Sequence, residues 1–121
     1  MSNAAPEVDT LVSSWLTVPD VAEALGVDVV KVRSLIKDRA LLAARRGERN
    51  VLSVPAAFVL DGAVVKGLPG LITVLGDAGF DDDEALRWLF TPDDSLPGTP
   101  VQALRENRGT EVKRRAQALA L

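Results

Sequence analysis

The sequence of 121 residues contains neither cysteine nor histidine. Without cysteine there are no disulfides and no thiolate metal sites. Without histidine as well, the usual zinc ligands and the commonest general base are missing. Aromatic residues are only 4% of the chain, so Val, Leu and Ala must do most of the packing in a sequence that is 47% hydrophobic. No apolar run approaches the roughly 20 residues needed to span a bilayer. No basic segment leads into a hydrophobic stretch in the manner of a secretory signal. The expectation is a cytoplasmic protein of one compact domain, or of two very small ones sharing a core.

What is present is an uneven distribution of charge. The net charge is −3, but residues 1–15 carry −2, residues 16–54 carry +2, residues 55–98 carry −6 and residues 99–121 carry +3. Residues 29–54 alone hold seven basic and two acidic side chains. For partner choice, this local sign matters more than the total.

Ser2-Asn3-Ala4 reads as the remnant of an expression tag, and residues 1–15 as a disordered tail. The tail hydroxyls of Thr10, Ser13 and Ser14 read as ordinary polar surface, with phosphate acceptance the alternative. Order is expected from Trp15-Leu16. Thr17 is a good helix N-cap, with Pro19 in the first turn and Asp20 at the capping-box position. Val18, Val21, Ala22 and Leu25 then share one helical face, and Gly26 is suited to a left-handed C-cap. Asp28 caps a second helix over 28–38, in which Val29, Val32, Leu35 and Ile36 form the apolar face. Two short amphipathic helices across a Gly-Val-Asp turn are the signature of a helix-turn-helix.

After residue 41 the period changes. Residues 42–46 and 50–54 flank Gly47-Glu48-Arg49 and predict a hairpin, which directly after a recognition helix is a wing. Pro55 starts a short helical turn. Residues 59–65 form a small hairpin around Asp61-Gly62 or an irregular linker, and the Asp-Gly turn signal favours the hairpin. Helices are then expected from Pro69 to Gly79, after an Asp81/Glu84 capping box, from Pro100 to Asn107 under a Thr99 cap, and from Glu111 to Ala120. The fold class is thus mainly α with a small β wing: a winged helix-turn-helix over 16–65, followed by a C-terminal helical bundle over 66–121.

The second helix of a helix-turn-helix lies in the major groove. Here its exposed face presents Val30, Lys31, Ser34 and Lys37, with Arg33 at the edge. Lys and Arg donate to guanine O6 and N7, Ser donates or accepts, and Val30 suits a thymine methyl. At the wing 42–54, Arg45, Arg46 and Arg49 suit phosphate oxygens or a narrow minor groove. The plainer alternative for both sets is a solvated charged surface. The acidic run Asp81-Asp82-Asp83-Glu84 lacks the alternating spacing and glycine of a calcium loop and reads as helix-dipole stabilisation. Trp88-Leu89-Phe90 reads as core. Lys113-Arg114-Arg115 is a solvated face, a second phosphate contact or a surface for an acidic partner. No catalytic constellation and no phosphate-binding glycine loop is evident, so no enzymatic activity, cofactor or metal is expected.

The stretch Leu16 to Val27 resembles the start of the helix-turn-helix in excisionase-like and MerR-like proteins. Together with residues 64–75, 86–93 and 112–118, the chain from residue 16 onward is similar to a small actinobacterial family of winged helix-turn-helix DNA-binding proteins. The resemblance implies a DNA-binding transcriptional regulator with a family-specific helical C-terminal part. More distantly, Trp88-Leu89, then Leu96-Pro97-Gly98-Thr99-Pro100, then a final helix resemble the toxin-binding part of some antitoxins. Double-stranded DNA is therefore the expected partner, with a homodimer or protein partner engaged through the C-terminal helices and a nucleoid-associated location. The competing reading is a protein-interaction adaptor that no longer reads DNA.

Overall fold

The computed structural model describes residues 6–120, so the tag-like Ser2-Asn3-Ala4 lies outside the described residues. From Pro6 onward the expected tail is corrected. Pro6–Leu11 form a helix, α1, with Val8 fully buried and Val12 nearly so. Val8, Leu11 and Val12 recur at i, i+3 and i+4, so they share one face. A helix this short is marginal alone and depends on tertiary packing. It finds that packing against a later helix, α5 (Asp82–Phe90).

Thr17 serves two elements at once. It ends strand β1 (Trp15–Thr17) and caps helix α2 (Val18–Leu25) through a reciprocal capping box with Asp20. Gly26 closes α2 in the left-handed conformation, with φ 70°. Helix α3 (Val29–Lys37) starts under Asp28, whose carboxylate accepts the Lys31 amide at 2.8 Å. No glycine marks the end of α3. Arg39 takes the left-handed conformation there, with φ 60°, and the Ala40 amide donates to the Leu35 carbonyl at 2.8 Å.

The wing is built from β2 (Ala44–Arg46) and β3 (Val51–Pro55), joined by a turn in which Gly47 and Asn50 have positive φ. Instead of a two-stranded hairpin, the sheet has three antiparallel strands in the order β1-β3-β2. Leu16 lies opposite Val54 and Arg45 opposite Leu52. The third strand is too short for alternation to announce it, and pairing with β3 is what makes it a strand. A 3-10 turn (Ala56–Phe58) leads to the small hairpin of β4 (Val59–Leu60) and β5 (Ala63–Val64). Its corner residues Asp61 and Gly62 both have positive φ, as a type I′ turn requires.

Four helices complete the chain: α4 (Leu68–Asp77), α5, α6 (Pro100–Arg105) and α7 (Gly109–Ala118). Asp81 and Glu84 form the capping box that opens α5, and Thr99 caps α6. In the loop between these helices, the hydroxyl and amide of Ser95 both donate to Asp93 and hold its carboxyl below the usual range.

One apolar core runs through the winged and the helical parts. Val21, Val32, Leu42, Val54 and Phe58 from the first part belong to the same cluster as Leu71, Leu75, Leu89 and Val112 from the second. Phe58 and Phe90 meet with ring centroids 5.6 Å apart. Arg105 ties the parts together by donating from Nη1 to the carbonyls of Ala57 and Val59, at 2.9 and 3.0 Å. Two measurements check this arrangement. Val8→Ala should lower stability in urea denaturation by about 1.5–3 kcal/mol, from the two buried methyl groups lost and the cavity they leave, whereas a tail residue would show no effect. Arg105→Met should cost about 1.5–3 kcal/mol, as expected for charge-assisted hydrogen bonds.

Candidate nucleic-acid interface

Helix α3 buries Val32 completely, with Leu35 and Ile36 partly covered beside it, whereas Val29, expected on the same face, lies in the first turn and is exposed. At about 100° per residue, the stripe opposite Val32 consists of Val30, Ser34 and Lys37, and Lys31 and Arg33 flank it on either side. All five side chains are exposed. Among the described residues, Lys31, Arg33 and Lys37 have no ion-pair partner. The packing of Val32 therefore sets which cations α3 offers to solvent.

The three wing arginines do not act together. Successive strand residues point to opposite faces, so Arg45 and Arg46 separate. Arg45 is exposed, and its Nη1 donates to the Asn50 carbonyl at 3.1 Å, which props the guanidinium beside the turn. Arg49 is exposed in the turn itself and has no ion-pair partner among the described residues. Arg46 faces the other way. Its guanidinium lies 4.6 Å from the centroid of the Trp15 ring, and its Nε pairs with Asp9 Oδ1 at 2.9 Å. Arg46 thus joins β2 to β1 and α1. The α1 partner was not legible because residues 1–15 read as a tail. The spacing of Val8, Leu11 and Val12 was the available signal.

The acidic segment is spent on helix ends and pairs. Asp81 and Glu84 cap α5, Asp82 pairs with Arg39 at 2.9 Å and Asp83 pairs with Arg87 at 2.6 Å. Among the described residues, no group of three or more His, Cys, Asp or Glu could hold a metal ion. Leu89 and Phe90 are buried and Trp88 is half-buried against the core. In α7, Arg115 is engaged by Glu111 and the Ser95 carbonyl, while Lys113 and Arg114 are exposed. No helix among the described residues is long and apolar enough to cross a membrane.

Two short helices across a tight turn, followed by an antiparallel β2–β3 hairpin backed by β1, define a winged helix-turn-helix protein. Residues 6–59 match the family model described as "DNA-binding protein Rv2175c, wHTH domain", and residues 65–120 match "Rv2175c C-terminal domain of unknown function". The chain is 46% identical over 114 residues to the DNA-binding protein Rv2175c of Mycobacterium tuberculosis, an alignment spanning 84% of this chain and 77% of that protein. The NMR structure of Rv2175c superposes with a TM-score of 0.79 at 42% identity, covering 89% of this chain and 82% of that one. The chain belongs to this actinobacterial winged helix-turn-helix family.

The two roles of the wing arginines are separable by stability alone. Arg46→Ala should cost about 1 kcal/mol, combining a cation–π contact with a surface ion pair. Arg49→Ala should stay within about 0.5 kcal/mol of the parent, both read by thermal or urea denaturation.

Proposed function

We propose that this protein binds double-stranded DNA and regulates transcription, working in the cytoplasm in association with the nucleoid. The observation that carries the reading is the set of unpaired cations on one helix and one hairpin of an acidic chain. In this reading Lys31, Arg33, Ser34 and Lys37 enter the major groove, where Lys and Arg donate to guanine edges. Arg45 and Arg49 hold the flanking backbone or the minor groove. Arg46 acts through the wing, by holding β2 against Trp15 and Asp9. The relative's name, DNA-binding protein, supports the reading, as does the match of residues 6–59 to a winged helix-turn-helix family model.

In the same reading residues 16–65 are the DNA-reading part. Residues 66–121 complete its core and offer a surface for a second copy or a protein partner. One wing and one short helix bury little surface, and specific sites usually need more. That favours a dimer on DNA. The role is one of binding, with no chemical step.

A titration of fluorescent duplex DNA at two salt concentrations tests the proposal. Each neutralised phosphate releases counterions, so affinity should fall steeply as salt rises. Removing Arg45 and Arg49 together should weaken binding to all sequences. It should also flatten the salt dependence by about one unit of log–log slope for each phosphate that is no longer neutralised. Lys37→Ala should weaken binding too, whereas Arg46→Ala should change it only in proportion to the fall in stability. Absence of binding at low salt, or binding indifferent to Lys37→Ala with Arg45→Ala, would overturn the proposal in favour of a protein-interaction adaptor.

A further inference from the structure

The start of α3 carries an apolar feature that neither folding nor charge explains. Val27, Val29 and Val30 are 37%, 40% and 71% exposed. Val30 is the second residue of the helix and heads the outward stripe that continues through Ser34 and Lys37. It contributes nothing to the core, which α3 reaches through Val32 on the opposite side. A β-branched residue is also a poorer helix former than the long polar residues that usually fill exposed positions. Asp28 already satisfies the amide of Lys31, so the first turn needs no help from Val30. An exposed valine at this point costs the isolated protein a little and gives it nothing in return.

We infer that Val30, flanked by Val27 and Val29, is a specificity-determining residue that packs against the C5-methyl groups of thymine in the major groove. The inference rests on the DNA-binding reading above and adds a base preference to it. The occupant follows from the surroundings. Lys31, Arg33 and Lys37 are the charged residues of the helix that carries Val30, and the one acid at its head, Asp28, is engaged by the Lys31 amide, so an apolar patch sits on a helix whose own charges are cationic. A polyanion with methyl groups in its groove matches both parts, and thymine is the unmodified DNA base that carries one. A second copy of this chain would bring the same cations against themselves. A stable dimer also needs about 1,200–2,000 Å² of buried surface, far more than three partly exposed valines supply.

The test uses two duplexes of the same A·T-rich sequence, one with thymine and one with deoxyuridine at every thymine position. The exchange removes the methyl group and leaves the hydrogen-bonding edge unchanged. The parent protein should bind the deoxyuridine duplex about fourfold more weakly for each methyl buried. Val30→Ala, at an exposed position where folding is undisturbed, should bind the two duplexes with nearly equal affinity. Equal binding by the parent protein overturns the inference. So does a preference for thymine that Val30→Ala leaves intact, because the methyls are then read elsewhere. Sedimentation of both proteins supplies a separate outcome: self-association that Val30→Ala abolishes, without a thymine preference, assigns the patch to a second copy. If neither duplex binds at low salt, the DNA-binding reading itself fails. A parent protein that binds DNA without distinguishing the two duplexes removes only the methyl contact.

Discussion

The structure depends on a shortage of core. The helices of the winged part, α2 and α3, have 8 and 9 residues, and a unit this small buries too little surface to be robust alone. With few aromatic residues available, the deficit is met by drawing aliphatic side chains from both ends of the chain. Val8 and Val12 come from α1, and Leu71, Leu75, Leu89 and Val112 come from the C-terminal helices, all in one cluster with Val21, Val32 and Phe58. The C-terminal part is therefore structural to the winged part, whatever else it touches. Because Val32 is held in that cluster, the outward face of α3 has one orientation.

Electrostatics follows from the same economy. Several acidic residues are engaged within the fold: Asp20, Asp28, Asp81 and Glu84 accept helix-terminal amides or return the capping bond, Asp83 pairs with Arg87 one turn away, and Asp9 and Asp82 pair with arginines distant in sequence. Acids at helix N-termini are favourable in their own right. Their use at these positions leaves Lys31, Arg33, Lys37 and Arg49 without counter-charges among the described residues. A negative total charge and a positive local surface are thus compatible, because the two signs occupy different places.

Elements whose start and stop are written in one or two residues were legible. Thr17, Asp28, Asp81 and Thr99 cap the helices they announce, and Asp61-Gly62 turns the hairpin it signals. Elements that exist only by pairing were not. Strand β1 is three residues long and is defined by hydrogen bonds to β3, about 40 residues away in sequence. Helix α1 has six residues and stands because α5 covers it. The same limit applied to the site. The exposed stripe of α3, Val30, Ser34 and Lys37 with Lys31 beside it, follows from helical spacing alone. Arg46 looked equivalent to Arg45 because adjacency in sequence hides the alternation of a strand whose register depends on distant partners.

The helix-turn-helix, the hairpin after it, the capping of most helices and the concentration of basic charge between residues 29 and 54 are all written in the amino-acid order. These are local properties, set by backbone preferences and by periodicities of a few residues. Long-range packing is what makes the N-terminal segment part of the core, turns the wing into a three-stranded sheet and holds Arg46 against Trp15 and Asp9, away from the exposed cations. Those outcomes depend on which surfaces meet across the whole chain, and burial and pairing between distant residues are not recorded in any short stretch of sequence.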